Sequence, residues 1–350
     1  MAVFSIPNIQ VVGLAACVPK QVEDNLTFSL LTEGERNAFV KTVGIRYRRV
    51  APPGLTASDL CFTAAENLLQ DLKWKRSEIQ ILVFVTQTPD YLIPNSSSIL
   101  QQRLGLSTSC LAFDVNLGCS GYVYGLSIVA GLLRNMPNGK ALLLVGDIST
   151  ATISMKDKST APLFSDAGSA TALEWADEGR LDFNLQTDGK EFDDIIIPDG
   201  GLRNGFSNQS LQYIEYEKGI SRNNLQMKLD GIKIFNFALR EIAANIQTLL
   251  QYKNVDESLI DYFVFHQANL LMLESVRKKL KVDSNKVPYS LYDYGNTSSA
   301  TIPLTMLVKL GTTLKHEKLR LLLSGFGVGL SWGSVYLETN KIACPDLIEI

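Results

Sequence analysis

"SEIQILVFVTQ" (Ser77–Gln87) and "SLIDYFVFHQ" (Ser258–Gln267) share a shape. Each begins at a serine, runs through a short apolar stretch and ends on a polar residue followed by glutamine. Each is then followed by a helical stretch that closes near "QQRLGL" or "RKKLKV". Further along, "GKALLLVGD" (Gly139–Asp147) is matched by "EKLRLLLSGF" (Glu317–Phe326). Both pairs keep the same order and lie roughly 180 residues apart, far beyond the short periods of solenoid repeats. Two similar halves follow, about 1–176 and 177–350.

Fully apolar runs of this length read as strands buried on both faces: Ile81 to Val85, Ala141 to Val145, Tyr262 to Phe265 and Leu319 to Leu323. Helix-length stretches lie between them, at Ala57 to Leu72, Ser97 to Leu104, Phe235 to Tyr252 and Leu270 to Leu280. Strands alternating with helices predict an α/β protein with a mixed or parallel sheet. Leu181 to Asp230 is rich in Gly, Asn and Asp and reads as a loop-and-hairpin link between the halves.

The bulk numbers exclude several classes. The chain has 350 residues, 46% hydrophobic and 20% charged, with a net charge of -3. That suits a globular protein with large cores and gives no basic footprint for nucleic acid. The N-terminal run lacks a positive start and is broken by Pro7, Asn8 and Gln10, unlike a secretory signal. No apolar run reaches the about 18 residues of a membrane span. A cytoplasmic location is expected. The five cysteines are widely spaced and form no zinc pattern.

Chemistry can start at few places. Cys119 stands in "DVNLGCSGY", between a strand-like run and a small, apolar helix. Alone, it reads first as a core thiol and second as a nucleophile whose pKa a helix N-terminus lowers. Of the two histidines, His316 lies in a charged stretch and reads as solvated, whereas His266 ends a strand and opens "HQAN". Strand ends of α/β proteins are the usual place for function. Asn296, in "DYGNTSSATIP", either caps a helix or aims an amide into a site. The glycine-rich "SGFGVGLSWGS" (Ser324–Ser334) lacks a P-loop's spacing and following helix, but can expose N–H groups to an oxyanion.

Together these motifs resemble the β-ketoacyl-acyl-carrier-protein synthase III family of the thiolase superfamily. "VGIRYRR" (Val43–Arg49), "PDYLIPNSSSILQQRLGL" (Pro89–Leu106) and "LFSDAGSATALE" (Leu163–Glu174) are similar too. The resemblance runs from about Val11 to Leu337. It implies a thiolase-like fold: two duplicated βαβαβαββ halves in five layers, αβαβα, with the nucleophile in the first and the His and Asn in the second. It implies an acyltransferase in which Cys119 takes an acyl group from a thioester. The oxyanion is held by the backbone N–H groups of Cys119 and Val328. His266 and Asn296 then donate to the thioester carbonyl of malonyl-acyl-carrier protein as CO₂ leaves. The enolate attacks acyl-Cys119 and gives a 3-oxoacyl product.

The same resemblance implies substrate contacts at Ile93, Phe164, Gly231, Phe235 and Asn269, with Ile93 reaching across a homodimer. It implies acyl carrier protein as partner, with Lys278 and Lys279 facing it. No separate cofactor or metal is expected, because the substrates carry phosphopantetheine themselves, on coenzyme A or the carrier protein. The family's coenzyme A mouth is not reproduced: Ala38 and Lys158 replace the adenine clamp, and Thr42, Ile232 and Leu271 replace polar or basic residues. This points either to a donor carried on a protein or to coenzyme A bound in a different way. Acyl transfer to O, N or S without decarboxylation is the main alternative. A non-catalytic partner subunit would lack Cys119, and a hydrolase would need water at an apolar site.

Overall fold

The computed structural model describes residues 2–350. One nine-stranded sheet system is built on two long strands, Ala2–Val18 and Asp166–Thr187, which pair antiparallel along their lengths. Each long strand serves two sheets. In the first, Asp166–Glu174 pairs with Lys140–Ile148, which lies parallel to Ile79–Val85, itself parallel to Leu111–Val115. In the second, Leu181–Thr187 pairs with Ser331–Leu337; Lys318–Gly327 follows antiparallel, and Tyr262–Phe265 parallel to that. The sheets thus repeat one pattern, with the matched motifs at equivalent places. Among the described residues, the second sheet has no counterpart of Leu111–Val115.

Alternate residues explain the all-apolar strands. Ile81, Val83 and Val85, with Leu319, Leu321 and Leu323, face a shared middle layer holding the helices Gly121–Leu133 and Thr301–His316. Leu82 and Phe84 face an outer layer under the helix Ala57–Leu72. Phe263 and Phe265 face the opposite outer layer under Gly231–Lys253 and Leu270–Leu280. These strands are therefore covered on both faces, and the layers read αβαβα. Capping fixes the helix starts: Thr56 and Asp59 form a capping box, and Asn269 accepts from the Met272 N–H.

One expected loop is core. Leu181–Thr187 belongs to the second sheet rather than to the linking region, which reduces to the segment around the Ile214–Glu217 and Ile220–Arg222 hairpin. The polar residues that suggested a loop, Asp182 and Asn184, are buried there and reach partners on the Gly231–Lys253 helix. Asp182 is bridged by Lys253 and Arg180, and Asn184 donates to the Asn245 carbonyl. Leu181, Phe183 and Leu185 keep strand alternation between them.

Candidate active site

The two middle-layer helices begin face to face. Cys119 ends the turn that enters Gly121–Leu133, and Ser298 lies in the turn that enters Thr301–His316. Their side chains meet, Sγ to Oγ, at 3.9 Å. A cavity of about 170 Å³ opens beside them and is lined by Cys119, His266, Asn296 and Val328. Gly327 lets the Lys318–Gly327 strand pass this close: a Cβ there would meet the Cys119 Cβ at 2.7 Å. Among the described residues, no backbone or side-chain oxygen accepts from the Cys119 or Val328 N–H, so two donors border the cavity free.

The turn "GNTSSA" orients two groups at once. The Ser298 N–H donates to Asn296 Oδ1 at 2.9 Å, which fixes the amide and leaves Nδ2 for the cavity. Gly295, at φ 59°, makes the turn possible; a Cβ would come within 3.2 Å of the Leu163 carbonyl. Ser298 itself has a left-handed φ of 52°, unusual for a side-chain-bearing residue. Thr301 Oγ1 donates to the Ser298 carbonyl at 3.0 Å and meets His266 Nδ1 at 2.7 Å. A hydroxyl has one proton, so with this donation in place Nδ1–H is the donor and Nε2 keeps its lone pair.

Electrostatics makes the resting pair neutral. Burial pushes the Cys119 thiol up to about 12; the Ser298 hydroxyl pulls it back and the nearby Asp147 carboxylate adds to the rise. Burial lowers His266 to about 3, against the pull of the Ser298 carbonyl. The ring stands edge-on to Phe326 at 5.4 Å. Burial thus works against the thiolate character expected at a helix end. The helix starts at Gly121 with Ser120 as its cap, so Cys119 lies outside the first turn and burial dominates.

Phe164, Gly231 and Asn269 also line the cavity. Arg48, 1% exposed, holds the Phe164 carbonyl at 3.1 Å, and Phe164 bridges to Asn296, so "VGIRYRR" supports the asparagine turn. Phe235 is not at the wall: it lies one helical turn beyond Gly231 and packs on the core beneath that helix. Ile93 is 86% exposed on a projecting loop with Tyr91 and Leu92, away from the cavity within one chain. Lys279 donates to the Leu239 carbonyl, tying two helices together. At the mouth, Ile232 and Leu271 are exposed, and Lys158 lies 3.9 Å from Glu35. Sequence reasoning does not single out Ser298, Thr301, Asp147 or Gln87. Only the density of hydroxyls in "GNTSSAT" could signal the first two.

Family models match two segments. Residues 113–189 fit 3-oxoacyl-[acyl-carrier-protein] synthase III, and residues 250–339 fit its C-terminal part. A putative 3-oxoacyl-[acyl-carrier-protein] synthase 3 of Campylobacter jejuni is 36% identical over 313 residues, 88% of this chain and 86% of that protein. The chain belongs to the 3-oxoacyl-acyl-carrier-protein synthase III family. A Streptococcus mutans β-ketoacyl-[acyl-carrier-protein] synthase III is 31% identical over 92% of this chain and 96% of its own length. The crystal structure of a Burkholderia xenovorans 3-oxoacyl-(acyl-carrier protein) synthase superposes with a TM-score of 0.93, at 36% identity and 99% coverage of both chains. The fold is thus thiolase-like and the chain is an enzyme of a condensing family. Synthase III enzymes perform decarboxylative condensation with malonyl-acyl-carrier protein.

Proposed function

We propose that this synthase III condenses an acyl thioester with malonyl-acyl-carrier protein through an acyl-Cys119 intermediate. The observation that carries this reading is the convergence of Cys119, His266, Asn296 and two free N–H groups on one cavity. A neutral thiol needs a base when it attacks, and His266 Nε2 has a free lone pair to take the proton. The Cys119 and Val328 N–H groups hold the oxyanion. The released donor thiolate then takes a proton back from Nε2.

The second half-reaction asks the opposite of His266. Stabilising the enolate as CO₂ leaves requires Nε2–H as a donor beside Asn296 Nδ2. Once Nδ1 has lost its proton to solvent and Nε2 has gained one between the half-reactions, Thr301 can hold this tautomer too, its hydroxyl turning from the Ser298 carbonyl to donate to His266 Nδ1. Two neutral donors suit a carbanion that a stronger acid would protonate. Acyl transfer to O, N or S is the competing reading, and needs only the base. The test is ¹⁴CO₂ release from labelled malonyl-carrier protein after Cys119 is acylated. Release matched to 3-oxoacyl product supports condensation; turnover of the acyl group without CO₂ supports plain transfer.

The donor is proposed to arrive on a carrier protein, because Ala38, Thr42 and Ile232 supply nothing to grip an adenine nucleotide. We also propose a homodimer. Leu111–Val115 ends the sheet with one edge unpaired, and Tyr91, Leu92 and Ile93 project beside it as exposed apolar side chains. Pairing of two copies along that edge would bring Ile93 to the other copy's acyl chamber. A cytoplasmic location suits five free, buried cysteines. No helix among the described residues is long and apolar enough to cross a membrane.

A further inference from the structure

Asp147, 1% exposed near the end of the Lys140–Ile148 strand, divides its carboxylate between the two halves. Oδ1 accepts from the Thr86 hydroxyl at 3.2 Å and from the Gln87 N–H at 2.7 Å. Oδ2 accepts from the Ser299 hydroxyl at 2.6 Å and from the Ser299 N–H at 3.3 Å. All four donors are neutral. Burying a carboxylate without a cation is unfavourable unless donors surround it, and packing alone gives no reason for one. Each oxygen leads to a turn at the Cys119 cavity. Gln87 lays its side-chain oxygen over Gly118, where a Cβ would come within 2.4 Å, next to the nucleophile. Ser299 follows Ser298, whose hydroxyl meets Cys119 Sγ at 3.9 Å and whose N–H holds Asn296 Oδ1.

We infer that Asp147 is a positioning residue for condensation, setting through Ser299 the turn that aims Asn296 at the cavity. This deepens the condensing-enzyme reading and rests on it. The turn is held at both ends by the first half. Backbone bonds with Leu163 and Ser165, at 3.0 and 2.9 Å, fix it at Asn296, and Asp147 fixes it three residues on. Between these anchors Ser298 keeps its left-handed φ of 52°, a strained conformation that persists only under support from its surroundings. Releasing Ser299 lets Ser298 relax. Its N–H then leaves the Asn296 amide, and its carbonyl leaves the Thr301 hydroxyl that meets His266. Both enolate donors lose their aim together. The Cys119 and Val328 N–H groups lie outside this turn, and the Gln87 arm stays in place, so acylation of Cys119 is spared.

Two variants cut the Ser299 arm by different chemistry. Ser299→Ala removes one hydroxyl and keeps the backbone bond to Asp147, so the fold is retained. Asp147→Asn keeps an oxygen for the Gln87 N–H and sets an amide N–H₂ against the Ser299 N–H. Each enzyme is loaded on Cys119 from acetyl- or hexanoyl-pantetheine, with the rate read by intact mass. Carboxyl-labelled malonyl-carrier protein is then added over a range of concentrations. In both variants ¹⁴CO₂ release per loaded enzyme should fall about tenfold, the scale of one good hydrogen bond, in kcat rather than KM, with loading kept within roughly twofold. An undiminished release rate in either variant, or loading and release falling in equal proportion, overturns the inference and leaves condensation standing. An unaltered enzyme that loads but releases no CO₂ overturns the condensation reading and the inference with it.

Discussion

At the end of the Ile79–Val85 strand stands Thr86; at the equivalent end of Tyr262–Phe265 stands His266. Behind Thr86 lies Asp147, which accepts its hydroxyl at 3.2 Å. Behind His266 lies Phe326, in the matched place of the duplicated motif, presenting only a ring. The next residue is glutamine in both halves. Gln267 is fully buried and spends its amide on the Phe265 carbonyl and the Ser290 N–H. Gln87 is exposed, and its amide borders the Cys119 cavity instead. The helix turns differ likewise: Cys119 in one, Ser298 in the other, 179 residues apart and in contact. One scaffold has thus been filled twice. On the proposed reading, the first half carries the nucleophile and the second carries the proton and amide donors. The apolar Phe326 keeps the imidazole neutral, as a donor or base must be; a carboxylate there would raise its pKa.

The largest effect should come from removing the first half's nucleophile. Cys119→Ala is expected to abolish the acyl adduct and lower condensation roughly 10⁴-fold or more. Activity at near-normal rate in that variant would break the division of labour. Next, Asn296→Ala should cut CO₂ release by roughly 10²- to 10³-fold, the value of one enolate donor, while Cys119 still loads. Loss of loading in parallel would show that the second half serves both steps alike. Asp147→Ala strips acceptors from Thr86, Gln87 and Ser299, and should cost roughly 2–3 kcal/mol of stability in denaturant titration.

A smaller effect separates Thr301 from a plain helix residue. Thr301→Val should lower kcat for condensation about tenfold with little change in Cys119 loading, and Thr301→Ser should restore it. The pH dependence of stability has a definite sign. Between pH 6.5 and about 3 the unfolded chain binds a proton at His266 that the folded chain refuses. Stability therefore falls as pH drops through that window. The denaturant midpoint should fall more steeply in the native protein than in His266→Gln. Asp166, which burial raises to about 6, titrates in both and cancels from the comparison.

The duplicated strands are legible in sequence because burial on both faces leaves an unbroken apolar run. Cys119, His266 and Asn296 stand out at strand ends and helix starts, where few side chains could do chemistry. Leu181–Thr187 is obscured by Asp182 and Asn184, whose partners Lys253 and Asn245 lie far along the chain. The same distance hides Thr301 and Gln87. A threonine inside a helix start and a glutamine after a strand are ordinary residues until folding places them against His266 and Gly118. The thiol's state escapes sequence for a related reason: a helix end is visible there, whereas the burial that outweighs it is not.

The proposed division, in which one half holds the acyl group while the other makes the carbanion, is tested most directly by a single-turnover chase. Enzyme preloaded on Cys119 is mixed with labelled malonyl-carrier protein, and adduct mass and ¹⁴CO₂ are followed together. The adduct should disappear one-for-one with CO₂ release and 3-oxoacyl product. Asn296→Ala should keep its adduct through the chase. Disappearance of the adduct without CO₂, or an undiminished rate in Asn296→Ala, would contradict this division.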